Sequence, residues 1–123
     1  MVTDATKPVS IPASGVTDTV LAAIDLAKEP AQMTGRMLRL RKLVIQPGGV
    51  VPWHSHGDRP AIIYILQGEV TEYASNCAVP ILHKTGEVTA ETHLTSHWWK
   101  NAGRKTVVLF SADILHDASD HNM

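Results

Sequence analysis

The chain has 123 residues, with eleven Lys plus Arg against twelve Asp plus Glu and a single cysteine. That length suits one domain with a real core, and the near-neutral charge offers no footprint for nucleic acid or an anionic membrane surface. Cys77 alone excludes an internal disulfide or a cysteine-based zinc cluster, and no apolar run approaches the ~20 residues of a membrane span.

Residues 1–15 read as an extended N-terminal arm, because Pro8, Pro12, Ser14 and Gly15 interrupt any regular pattern. The first sixteen residues lack the continuous apolar core of a secretory signal, so a soluble, cytoplasmic domain is expected. The boundaries drawn are 1–15 for the arm, 16–116 for a barrel domain and 117–123 for a polar C-terminal tail. Within 16–26, Ala22 and Ala23 pull towards helix while Val20 and Ile24 suit a strand, and strand is the reading. After the break at Lys28-Glu29-Pro30, residues 35–46 read as a long strand, with Leu38 and Leu40 alternating against Arg39 and Arg41.

The most informative stretch is 47–68. A Pro47-Gly48-Gly49 turn leads through a short apolar run into His54-Ser55-His56. The Gly57-Asp58-Arg59-Pro60 turn follows, then a β-branched run that stops at Gln67-Gly68. Side chains in a strand alternate faces, so His54 and His56 project from one side, and two imidazoles on one wall are half of a metal site. Further on, 69–74 alternates Val70 and Tyr73 imperfectly with polar residues, and 78–83 is a short strand candidate. Thr85-Gly86 marks a turn. Residues 96–101 and 106–115 give two more strands, and in the first of them His97, Trp99 and Asn101 share a face opposite Trp98. Many short strands punctuated by Gly and Pro, with no long helix, predict an all-β sandwich or barrel.

Two blocks in this pattern resemble the motifs of a small single-domain cupin of type 2. Gly48, His54, His56 and Gly68 fall in register with the first cupin motif, with Ala61 where that motif has a glutamate. Gly86, His97 and Asn101 fall in register with the second, with Thr92 and Leu94 in place of its proline and glycine. The resemblance implies a jelly-roll barrel, the double-stranded β-helix, whose lumen holds one metal, and it implies a homodimer. Several tryptophans and an extended arm suit a dimer in which residues 1–15 cross to the neighbour. The family it resembles includes three-His iron dioxygenases, so the missing glutamate need not abolish activity, although it departs from the usual four-ligand site.

The expected metal ligands are therefore His54, His56 and His97. They would hold one divalent transition metal: iron, zinc, nickel, manganese or copper. Three neutral imidazoles cancel none of its charge, and no carboxylate among them is visible in the sequence, so the metal would act as a strong Lewis acid toward an anionic or chelating small molecule. The pocket candidates are Ala61, Tyr64, His93, Trp99 and Asn101, with His93 at the rim. The bland alternative is a set of polar barrel residues satisfied by hydrogen bonds. His83, His116 and His121 read as surface histidines, and Asp58 as a turn residue unsuited to replace the glutamate. Arg59 is a turn arginine that a ligand contact would suit without being required. Three readings stay open: an oxygenase or isomerase of a small oxygenated metabolite, a non-catalytic binding or sensing module built on the same pocket, or a metal-free barrel whose histidines bind a carboxylate or sugar.

Overall fold

The computed structural model describes residues 13–116. Most of the expected arm, the whole tail and His121 lie outside the described residues. The strands are β1 (Ser14–Asp25), β2 (Met37–Ser55), β3 (Ala61–Gln67), β4 (Glu69–Ala74), β5 (Ile81–Lys84), β6 (Val88–Glu91), β7 (Ser96–Lys100) and β8 (Val107–Leu115), with one 3-10 turn at Leu26–Lys28. They form one curled sheet in the order β5-β4-β7-β2-β8-β3-β6, and β1 is added alongside β2. All printed pairings are antiparallel. The all-β reading holds. No helix among the described residues is long and apolar enough to cross a membrane.

The 19-residue β2 organises the sheet. Its first half pairs with β8 from Met37↔Leu115 to Ile45↔Val107, and its second half pairs with β7 from Val50↔Lys100 to Ser55↔Ser96. The sequence predicted a turn at Pro47-Gly48-Gly49, but the strand runs through it. Asn101 holds the kink by accepting from Gly48 N–H at 2.7 Å and donating to Gly49 O at 3.0 Å. A Cβ at Gly49 would stand 2.8 Å from the carbonyl oxygens of Gln46 and Gly15, so close backbone packing requires glycine there. β6 had no counterpart in the sequence reading, because Val88–Glu91 is only four residues long, and its apolar residues Val88 and Ala90 are exposed while Glu91 is buried.

The interior has two halves. Leu43, Ile45, Val51, Ile63, Ile65, Val70, Trp99, Val107 and Leu109 form a continuous apolar core. Along β2 and β8 the inward positions then turn polar, for Arg41 pairs with Ser111 and Arg39 with Asp113. The alternation of Leu38, Arg39, Leu40 and Arg41 is present, but Arg41 is buried while Leu38 and Leu40 are exposed. This inverts the usual apolar-in rule, and the reason is Asp113. Arg39 clasps its carboxylate through two hydrogen bonds of 2.9 and 2.7 Å, with Arg59 at 3.3 Å and Arg41 at 3.5 Å. Buried guanidiniums are tolerated where a carboxylate compensates them.

Candidate metal centre

Pairing across the β2–β7 ladder sets His54 directly opposite His97. His56 lies just past the end of β2, its backbone N–H donating to Thr95 O at 2.9 Å. All three imidazoles are buried, while Ser55 between the first two is exposed, as strand alternation requires. Their Nε2 atoms form a small triangle, with sides of 3.1 Å between His54 and His56, 2.9 Å between His56 and His97, and 2.8 Å between His97 and His54.

The other ring nitrogens explain this convergence. His54 Nδ1 faces the Pro52 carbonyl at 2.8 Å, His56 Nδ1 the Arg59 carbonyl at 2.7 Å, and His97 Nδ1 the Glu72 carboxylate at 2.5 Å. These partners accept, so each Nδ1 carries the proton and each Nε2 presents a lone pair to the triangle. Lone pairs directed at one another repel, and a cation bound to all three removes the repulsion. Nitrogens near 3 Å apart can share one face of an ion with metal–nitrogen bonds of about 2.0–2.1 Å. The donor set therefore fits a divalent transition metal.

A carboxylate network backs His97. Glu72 on β4 accepts from His97 through one oxygen and from His83 through the other, at 2.7 Å. Glu91 on β6 lies 3.6 Å from His97 Nδ1. The indole nitrogen of Trp99 is 3.1 Å from both His97 ring nitrogens, and His83 stacks on Trp99 with ring centroids 5.0 Å apart. A carboxylate on the far nitrogen of a ligating imidazole orients the ring and raises its basicity. His83, expected at the surface, is thus buried and holds Glu72. Neither glutamate was foreseen as a site residue. The one available signal was the spacing Val70-Glu72-Ala74, which shares the inward face of β4.

Burial, then the neighbouring His97, pushes His54 well below the ordinary 6.5 and His56 down to about 4. Burial also lowers His97, against the opposing pull of Glu72. Burial would raise Glu72, but its hydrogen bonds from His83 and His97 prevail and hold it low. Burial, then the charge of Glu72, pushes Glu91 up to about 8. For the histidines the unfolded chain binds more protons below 6.5, so stability falls as pH drops toward 4. Glu91 acts the other way: the folded state keeps a proton that the unfolded chain releases above 4.5, so its contribution is lost as pH rises toward 8. Three sites against one decide the acid side. The metal-free protein is expected to be most stable near pH 6–7 and to melt roughly 10 °C lower at pH 5. Melting curves in chelator across pH check this, and a flat profile from pH 5 to 7 would contradict it.

Ala61 is buried between Glu91 and Asp113, its register partners on β6 and β8. Trp99 is buried beside the histidines. Asn101 is buried too, but its amide serves the backbone, donating to the Ile45 and Lys105 carbonyls and accepting from Gly103 N–H. Tyr64 points outward and is 40% exposed, and His93 is exposed in the turn before β7, so neither joins the interior cluster. Arg59 is buried against Asp113. Asp58 is exposed and bound by Arg36 at 2.6 Å and His116 at 2.7 Å. A cavity of about 20 Å³ touches His54 and His97. A larger open groove of about 600 Å³, between Gln67, Lys84 and Arg104, contains none of the histidines.

The family model described as Cupin domain matches residues 41–113, while no curated protein matches the chain. Among solved structures, the Schizosaccharomyces pombe Cnp3 cupin domain is similar with a TM-score of 0.63 at 17% identity, over 85% of this chain and 68% of that one. Oxalate oxidase in complex with the substrate analogue glycolate gives 0.61 at 19% identity, over 94% of this chain and 59% of that one. KdgF from Halomonas sp. gives 0.58 at 17% identity, over 80% of this chain and 78% of that one. At these identities the likeness is one of fold.

Proposed function

The chain belongs to the cupin domain family, and from that premise we propose that it binds one divalent transition metal through His54, His56 and His97 and offers the metal's remaining positions to a small oxygenated anion. The observation that carries this is the triangle of Nε2 lone pairs, each fixed by a hydrogen bond at Nδ1. When bound, such a metal supplies Lewis acidity and, for iron, copper or manganese, redox chemistry. The protein's own part is to hold three neutral imidazoles, to keep Glu72 on His97, and to exclude bulk water with Leu43, Val51, Ile63 and Leu109. Oxidation or isomerisation of a small oxygenated metabolite is the activity that suits these parts. The fold shared with an oxalate oxidase that takes glycolate supports a small acid as its ligand.

The second reading, a binding or sensing module, is favoured by the position of Glu91 and Glu72. Both carboxyls stand on the Nδ1 side of His97, away from the open face, where a general base would be needed. Oxygen uptake on a panel of small chelating acids separates the two readings.

The metal assignment has its own test. His54→Ala, His56→Ala and His97→Ala should each lower metal content from about one per chain to near none, while His116→Ala leaves it unchanged. Equal content in all four variants would defeat the assignment. A homodimer is part of the same proposal. Leu40, Ala112, Ile62 and Ala90 form one row across four strands by register, and Leu40 and Ile62 are exposed. An apolar outer row of this kind supports pairing of two copies, which sedimentation at micromolar concentration checks.

A further inference from the structure

Four of the five arginines already have a carboxylate: Arg36 pairs with Asp58, and Arg39, Arg41 and Arg59 share Asp113. Arg104 is the exception. It stands in the loop between β7 and β8, and with Lys105 and Lys84 it lines the open groove of about 600 Å³. None of these three side chains forms an ion pair or a hydrogen bond among the described residues, and all three residues are exposed.

The groove is held in shape by its own hydrogen bonds. Asn101, which the histidine cluster does not use, donates to Lys105 O at 2.7 Å and accepts from Gly103 N–H at 3.1 Å. The loop that presents Arg104 is thereby closed on itself. Across the groove, Thr85 Oγ1 accepts from Gly68 N–H at 3.0 Å and donates to Gly68 O at 3.1 Å, which ties the end of β5 to the β3–β4 turn. Gln67 donates to Thr106 O at 3.1 Å and joins that turn to the loop. Gly68 has a φ of +88°, and a Cβ there would stand 3.0 Å from Thr106 O, so this junction requires glycine. Three uncompensated cations set around one braced space make a site for an anion.

Glu69 faces Lys84 in the β4–β5 register and lines the same space. It opposes a bare anion but accepts hydrogen bonds from hydroxyl groups. No aromatic or large aliphatic side chain lines the groove, which leaves nothing for a nucleobase to stack on or for an acyl chain to bury against. We propose that the groove binds a phosphate monoester of a small polyol, with the phosphoryl group on Arg104, Lys105 and Lys84 and the hydroxyls directed to Glu69. The site shares no residue with the histidine cluster and does not depend on the metal reading.

The test is calorimetric titration of the whole chain with glycerol 3-phosphate, inorganic phosphate, sulfate and glycerol. Glycerol 3-phosphate should bind more tightly than phosphate or sulfate, and glycerol should not bind. Arg104→Ala should weaken the ester about five- to tenfold, and Lys84→Ala combined with Arg104→Ala should abolish measurable binding. Glu69→Gln separates a site from a patch of charge. It should tighten inorganic phosphate about twofold while narrowing the preference for the ester. These positions are exposed, so the variants should keep the melting temperature of the parent. Chelator should leave the ester affinity unaltered. Affinity lost in chelator would place the ligand on a metal and overturn the inference. Sulfate bound as tightly as the ester, or ester affinity indifferent to Arg104 and Lys84, would overturn it as well, and either result leaves the histidine assignment untouched.

Discussion

Asp113→Ala is expected to destabilise the fold by about 3–5 kcal/mol, which lowers the melting temperature by roughly 12–20 °C. Asp113 is nearly inaccessible, and its carboxylate is shared by Arg39, Arg59 and, at longer range, Arg41. Removing it takes the common anion from three guanidiniums, two on β2 and one in the turn before β3, and the cost is large because their desolvation was offset by that charge. Asp113→Asn keeps the shape and most of the volume, so it isolates the charge. Its melting temperature should fall most of the way to that of the alanine variant. A loss below about 1 kcal/mol in both would show that water or other groups carry the arginines.

Ala61→Glu should produce the second large effect. Residue 61 is buried, with Glu91 and Asp113 as its partners on either side. A glutamate there becomes a third carboxyl in one inward row. In chelator it is expected to cost several kcal/mol, either as a buried charge or as a proton held at neutral pH. A divalent metal should restore part of the loss, because the new carboxylate then faces a cation and completes a shell of three imidazoles and one carboxylate. The same carboxylate occupies a coordination position and removes positive charge, so binding of a small chelating acid should weaken. Melting curves with and without added zinc read both effects. A variant that zinc does not rescue would mean that residue 61 packs against the wall and does not face the metal.

These two sites mark the boundary of what local sequence discloses. The histidine pair at 54 and 56 was legible because period-two alternation needs no partner strand, and His97 with Trp99 for the same reason. The strands at 69–74, 96–100 and 107–115 were legible from their turns. Pairing register was not. Glu72 meets His97 across 25 positions, and Arg39 meets Asp113 across 74. Nothing within either segment announces the other. Tyr73 made β4 look irregular because it stacks outside the sheet on Trp98, with centroids 4.0 Å apart, while Glu72 takes the inward place. The first half of β2 was visible as an alternation over 35–46, but which face turns inward depends on Asp113, far away on β8. A polar interior defeats the assumption that the apolar face is buried.

The long strand β2 also governs how the chain reaches this structure. Its partners β7 and β8 are the last two strands in the sequence, so the His54–His97 pair closes a loop of 43 positions and the Arg39–Asp113 pair one of 74. During synthesis β2 emerges well before either partner, and only β1 is available to cover one of its edges. The β1–β2 hairpin therefore serves as a temporary guard, occupying a backbone edge that would otherwise template pairing between nascent chains. Closure waits on the C-terminal strands, which makes folding a slow, late event for so small a domain. The three histidines come together only in that final step, so an incomplete chain ending before β7 lacks the imidazole triangle altogether.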